Sequence, residues 1–219
     1  VNQARTDTGA TPLYIAAQMD NLAVVRYLAG EAHAGVNQAT TDNGATPLYI
    51  AAEMDNLAVV RYFAGEAHAG VNQATTDNGA TPLYIAAEMD NLAVVRYFAG
   101  EAHAGVNQAT TDNGATPLYI AAEMDNLAVV RYFAGEAHAG VNQATTDNGA
   151  TPLYIAAEMD NLAVVRYFAG EAHADVNQAR TDGGYTPLYI AAQMDNLDVV
   201  RYLAGEAHAD VNQARTDTG

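Results

Sequence analysis

The sequence predicts an all-α solenoid of six stacked helix-turn-helix repeats joined by short β-hairpin fingers, on three observations. The heptapeptide Thr-Pro-Leu-Tyr-Ile-Ala-Ala begins at Thr11, Thr46, Thr81, Thr116, Thr151 and Thr186, always 35 residues apart, which marks a repeat array. Inside each repeat, apolar residues recur at helical spacing in two short runs that can be buried only against neighbouring repeats. Between these helical pairs lies a polar segment ending in Gly, with turn chemistry. The predicted organisation is one domain over 1–219, with repeats 1–35, 36–70, 71–105, 106–140, 141–175 and 176–210 and a partial repeat 211–219.

The finger comes first in each repeat. Asp42-Asn43-Gly44 and its internal counterparts carry Asn-Gly, the strongest two-residue signal for a tight hairpin turn, because both residues tolerate positive φ. Thr11-Pro12 then opens a helix, with Thr as N-cap and Pro at the first helical position, where its missing N–H costs nothing. Leu13, Ala16 and Ala17 fall at i, i+3 and i+4 and form the buried face, Ile15 and Met19 pair on a flank, and Tyr14 and Gln18 share the remaining face.

Asp20-Asn21 is expected to end this helix and cap the next. Leu22, Val25, Leu28 and Ala29, with Val24 beside them, make the second stripe, while Ala23, Arg26 and Gly30 point away. Glu31-Ala32-His33-Ala34-Gly35 returns the chain to the next finger.

The repeat resembles an ankyrin repeat along the whole chain. The resemblance rests on the Thr-Pro-Leu-x-x-Ala-Ala helix start, the Leu-x-Val-Val start of the second helix, and the Ala-Gly/Asp-Val-Asn exit to a Gly-containing finger. It implies a curved stack of antiparallel helix pairs whose fingers and first helices line a concave surface that binds other proteins. Three departures bear on this. The period is 35 residues where the family's unit has about 33, with one residue added late in helix two, around Ala29-Gly30, and one in the finger, around Gln38 to Thr41. Tyr14 stands where the family carries His. Asp20 replaces the usual Gly and must hold a left-handed turn at some steric cost.

The repeats at 36–70, 71–105 and 106–140 are identical, and 141–175 differs only at Asp175, whereas the outer two diverge more. This predicts an engineered, consensus-idealised array or a recent amplification. Val1–Gly9 recurs as Val211–Gly219, and Val1 is not expected to be where a natural translation product begins. Terminal repeats need a polar outer face, and Asp198, where other repeats have Ala, is the one change of that kind.

Composition narrows the function. A net charge of −17 opposes nucleic acid and anionic membrane. No apolar run approaches the roughly 20 residues of a membrane helix, and no secretory signal is visible, so a soluble chain suited to cytoplasmic expression is expected. Cys, Ser and Lys are absent, which removes disulfides, thiolate metal sites and the usual nucleophiles, and no acid–base pair clusters. The chain is predicted to be no enzyme, with no cofactor and no metal.

His33, His68, His103, His138, His173 and His208 recur once per repeat, and residues about 10 Å apart on stacked helices cannot share one zinc ion. They are expected at the turn closing helix two. Glu53, Glu88, Glu123 and Glu158 form an acidic ladder, Gln at the outer repeats, read as a solvated face with the capacity to attract a basic partner. Phe63, Phe98, Phe133 and Phe168 replace an outer-repeat Leu on the core stripe and are expected to pack there. Tyr14 and its counterparts either line the concave side or lie half-buried between repeats. Tyr185, Ala in every other finger, is the best candidate for an exposed aromatic contact.

Carried over from the resemblance, the candidate contacts are Asp42, Asn43, Ala45, Glu53 and Met54 in the second repeat and Asp77, Asn78, Glu88 and Met89 in the third. Asp112, Asn113, Glu123 and Met124 follow in the fourth, Asp147, Asn148, Glu158 and Met159 in the fifth, and Tyr185 and Gln193 in the last. The expected function is a protein- or peptide-binding scaffold, its partner basic or periodic. The alternatives are a building block that associates end to end, and a fragment of a highly repetitive natural array.

Overall fold

Thr11 starts the first helix as its local chemistry requires: its backbone is extended, at φ −85° and ψ 162°, and its hydroxyl accepts from the Tyr14 N–H at 3.2 Å. The same cap opens every first helix. A computed structural model describes residues 2–213 of the chain. It divides into two units, Val1–Thr111 and Asp112–Gly219; the repeated nonapeptides lie partly outside the described residues.

In the first unit, α1 (Pro12–Gln18), α3 (Pro47–Glu53) and α5 (Pro82–Glu88) pack side by side, each followed antiparallel by α2 (Leu22–Arg26), α4 (Leu57–Arg61) or α6 (Leu92–Arg96). The second unit repeats the plan with α7 (Pro117–Glu123), α9 (Pro152–Glu158) and α11 (Pro187–Gln193), and α8 (Leu127–Arg131), α10 (Leu162–Arg166) and α12 (Leu197–Arg201). Each unit is a solenoid-type stack of helix pairs. Leu48, Ala51 and Ala52 of α3, which packs on α4, are buried together with Val60 and Phe63, and the Phe side chains are core as expected.

Helix two does not stop at its fifth residue. It runs on as a π-helical turn, Tyr62–Glu66 after α4, closed by an i→i+5 bond from the Ala67 N–H to the Tyr62 carbonyl at 2.9 Å. An extra residue inside a helix widens one turn in this way, and this is how the late insertion in helix two is absorbed. The turn ends at His68, whose φ of 52° is left-handed, with the Ala69 N–H donating back to the Phe63 carbonyl at 2.8 Å. The other five histidines sit alike.

Two expectations need correcting. Asn21 and its counterparts do not cap helix two. Instead Asn56 Nδ2 donates to the Ala17 and Gln18 carbonyls of the preceding repeat, at 2.7 and 3.1 Å, and Asn91, Asn161 and Asn196 do the same. The last carbonyls of a helix have no partner within it, and a seven-residue helix has few others, so the amide from the next repeat completes α1. Asp198, read as an end cap, replaces residues such as Ala163 that face solvent, and it pairs with Arg201 on the same helix at 3.3 Å. Its charge lies on the outward face of α12.

The fingers turn without forming strands among the described residues. Each is closed by a bond such as Thr40 N–H to the Ala45 carbonyl, 2.9 Å, and tied to the preceding finger by bonds such as Thr76 N–H to the Asn43 carbonyl, 2.9 Å. Of the Asn-Gly pair only the glycine has positive φ, 77° at Gly44. A Cβ there would lie 2.5 Å from Thr76 Oγ1 and 2.7 Å from its nitrogen, so both conformation and closeness to the next finger demand Gly.

Candidate protein-binding surface

In the internal repeats helix one is almost wholly enclosed between its neighbours, so that mainly its C-terminal end and the finger reach solvent. Along α3, residues 47–52 are buried, Glu53 is half-buried and Met54, which follows, is exposed. In the finger Asp42 is exposed, Asn43 half-buried, and Ala45 1% exposed. Ala45 therefore supports the finger and does not reach a partner: its N–H is held by Thr40 Oγ1 at 3.1 Å and Asn43 Oδ1 at 3.0 Å. The Thr40 hydroxyl also donates to that Asn43 oxygen, leaving the Asn43 side chain committed to its own turn.

The buried tyrosines show which residues gather on one face. Burial first, and then the charges of Glu53, Glu88 and Asp77, push the Tyr49 phenol well above its ordinary value. Tyr119 is shifted upward in the same way among Glu123, Glu158 and Asp147. Tyr14 is pushed up to about 12 by burial, Glu53 and Asp42. Tyr49 and Tyr119 thus feel carboxylates of their own helix, the next helix and the next finger, whereas Tyr14, whose helix ends in Gln18, feels only those of the next helix and finger. Burial raises Glu53, and burial with the Glu53 charge raises Glu88. Met54, Met89, Met124 and Met159 add exposed thioether surface on the same helix ends.

Of the expected contacts, Glu53, Glu88 and Asp77 act on the Tyr49 phenol and Glu53 and Asp42 on that of Tyr14 in the first unit, and Glu123, Glu158 and Asp147 act on Tyr119 in the second. Met54, Met89, Met124 and Met159, each next in sequence to one of these glutamates, are exposed. Asp112 is exposed and Asn78, Asn113 and Asn148 half-buried, like their counterparts. Gln193 is exposed. Tyr185 is half-buried and packs edge-on to Tyr189 at 5.1 Å. The alternatives for the Tyr14 series resolve toward burial, with Tyr49 at 9% and Tyr154 at 2% exposure.

Two groups of residues escaped the sequence reading. On the side carrying the π-helical turns, Arg26 lies 4.7 Å over the Tyr62 ring and is bidentate to Glu66 at 2.7 and 2.8 Å. Arg131 repeats this with Tyr167 and Glu171 in the second unit. The signal was a Tyr-x-x-x-Glu spacing once per repeat with Arg just before the Tyr. In the last finger, Arg180 is bidentate to Asp182 and donates from Nη1 to the Tyr154 hydroxyl at 3.3 Å. Arg for Thr, Gly183 for Asn and Tyr185 for Ala change together in that one finger, which was the available clue.

The six His are exposed and serve the turns. Among the described residues no group of three or more His, Cys, Asp or Glu is placed to hold a metal ion, and no helix is long and apolar enough to cross a membrane.

Stacked helix pairs joined by fingers define a helical repeat protein of the interaction-domain type. The model of the family described as ankyrin repeats (3 copies) matches residues 1–74, 66–147 and 135–215, and the chain belongs to that family. No curated protein sequence matches it significantly. Among solved structures it is similar to the crystal structure of the human ASB11 ankyrin repeat domain, at 24% identity and a TM-score of 0.81, covering 95% of this chain and 89% of that one. At that identity the likeness concerns the fold. Ankyrin repeat domains mediate protein–protein interaction.

Proposed function

We propose that the chain is a non-enzymatic binding scaffold that takes an extended, basic protein segment along the finger and helix-one face of a unit. The observation that supports this is that Glu53, Glu88 and Asp77 all act on the buried Tyr49, with Met54 and Met89 exposed next in sequence to the two glutamates, a set repeated by identical residues in the second unit. Like groups recurring at a fixed step suit a partner that is itself extended, and the net charge of −17 steers cationic segments toward it. The identity of three consecutive repeats supports an idealised or recently amplified array as the origin of this regularity.

Selection from a random displayed-peptide library against the intact chain tests the proposal. Enrichment of basic sequences whose binding weakens about tenfold in Glu88→Gln and Met89→Ala, and falls with salt, is expected. Enriched peptides that ignore both substitutions would overturn it.

End-to-end association of the 219-residue chain is a second reading, favoured by one feature. The outer face of the first repeat leaves Ile15, Val24 and Tyr27 exposed at 37, 47 and 57%, against 3, 0 and 7% for Ile50, Val59 and Tyr62, and a cavity of about 380 Å³ opens beside Ile15 and Val24. A mass that grows with concentration in light scattering, more at high salt, and that Val24→Glu abolishes would support stacking. A constant 23.0 kDa would exclude it.

A further inference from the structure

The last finger departs from the others in a coordinated way, and the departure builds a cavity. Arg180, Gly183 and Tyr185 stand where the preceding finger has Thr145, Asn148 and Ala150. In that finger the Thr145 hydroxyl bonds the Asn148 oxygen, which also accepts from the Ala150 N–H. In the last finger this small network is gone. A Cβ on Gly183 would collide with the Tyr185 ring, so the loss of the Asn side chain is what lets the ring lie down over the finger. Tyr189 then holds it edge-on at 5.1 Å.

Arg180 occupies the space between two rings, 5.3 Å from the Tyr154 centroid and 5.7 Å from that of Tyr185. Its charge is already engaged. Nε donates to Asp182 Oδ1 at 3.0 Å, Nη2 to the other carboxylate oxygen, and Nη1 to the Tyr154 hydroxyl.

What remains is a cavity of about 320 Å³ lined by Tyr154, Glu158, Arg180, Asp182, Tyr185 and Gln193, over Ile190. Glu158 is its uncommitted charge: half-buried, with its backbone carbonyl taken by Asn196 and its carboxylate in no hydrogen bond or ion pair among the described residues. Gln193 adds an amide acceptor where internal repeats would bring a second carboxylate. Arg180 and Asp182 cancel, so the cavity carries net negative charge beside an aromatic wall.

We propose that this cavity is an anchor pocket for a single arginine side chain of a protein partner. A guanidinium matches it on three counts. Its plane stacks on an aromatic ring such as Tyr185, its paired N–H groups take a carboxylate such as Glu158 side-on, and its remaining N–H groups reach the Gln193 oxygen. A lysine ammonium gains the charge contact but neither the stacking nor the bidentate geometry. The volume sits near the lower end for small-ligand sites, roughly 300 Å³, which fits one side chain and not a folded element. The inference deepens the scaffold reading and rests on it: the acidic face selects a basic segment, and this pocket fixes its register.

The test is an NMR titration of the intact, isotope-labelled chain with N-acetyl-arginine methylamide, with the lysine analogue and N-acetyl-aspartate as parallel probes. Gly183 and Tyr185 occur in unique sequence surroundings, and Gln193 shares its own only with Gln18, so their signals separate from those of the identical internal repeats, with a Gln18→Glu variant telling the two glutamines apart. Saturable shifts at these three with the arginine probe are expected, several-fold weaker with lysine and absent with aspartate. Glu158→Gln and Tyr185→Ala should each weaken binding about tenfold, while Glu31→Gln, an equal loss of charge elsewhere, leaves it unchanged; a thermal melt of each variant confirms folding. Shifts of the same size at every repeat, or a response to the aspartate probe at Tyr185, would overturn the pocket. If library peptides bind the finger face but carry no arginine at Tyr185, the pocket fails and the scaffold stands.

Discussion

Asp55, Asp90 and their counterparts hold φ between 55° and 64°, and His68 and its counterparts between 52° and 56°, a region where a Cβ crowds the following carbonyl. Asp90→Gly removes that crowding, and we expect denaturant unfolding to report a gain of about 0.5–1 kcal/mol, net of the glycine's greater freedom when unfolded. Gly79 is the converse case. At φ +76°, with the Thr111 nitrogen 2.7 Å from where a Cβ would stand, Gly79→Ala should cost about 2–3 kcal/mol in the same assay, since backbone must move. The carboxylates predict a pH effect. Burial raises Glu53 and Glu88 in the folded chain, so their contribution is full below the ordinary value of 4.5 and is lost as pH rises through the folded pKa. Glu88→Gln should therefore match the parent near pH 4 and exceed it in stability at pH 7. No gain at pH 7 would contradict the burial.

At the scale of the element, each short helix depends on its neighbour. Seven residues are too few for a helix to stand alone, and the carbonyls at the end of α3 are completed by Asn91 from the next repeat, at 2.7 Å to Ala52. Asn91→Ala leaves those acceptors half-satisfied near the core, and a loss of about 1–2 kcal/mol is expected in chemical unfolding. The helix starts were legible in the sequence because Thr-Pro and the i, i+3, i+4 spacing of Leu83, Ala86 and Ala87 are local signals. The Asn91 clip was not, because an Asn after Asp reads locally as a cap, and only stacking brings it to the preceding carbonyls. The π-helical turn was legible as one surplus residue but not as a shape: inserting a residue fixes the count and leaves open where the helix widens, which is at Tyr62–Glu66. The candidate surface was legible in its charges and thioethers, Asp42, Glu53 and Met54. It was not legible in the pocket beside Tyr185, where three changes have meaning only together.

Over the whole molecule, charge is the dominant unbalanced quantity. With −17 on 219 residues and acids in register within each unit, self-repulsion opposes the folded state. The exposed Arg26–Glu66 and Arg131–Glu171 pairs return little, as such pairs do in water. Raising salt from about 0.05 to 0.5 M shortens the screening length from over 10 Å to a few ångström, and the denaturation midpoint should rise; a fall would mean that the ion pairs outweigh the repulsion. The same field that costs stability draws a basic segment to the finger face. Hydrogen exchange of the intact chain, alone and with a library-selected peptide, tests that most directly. The account predicts slowed exchange at the fingers and the ends of helix one, around Asn78, Glu88 and Tyr185. Protection confined to the opposite side, at Arg61, Tyr97 and Glu101, would contradict it.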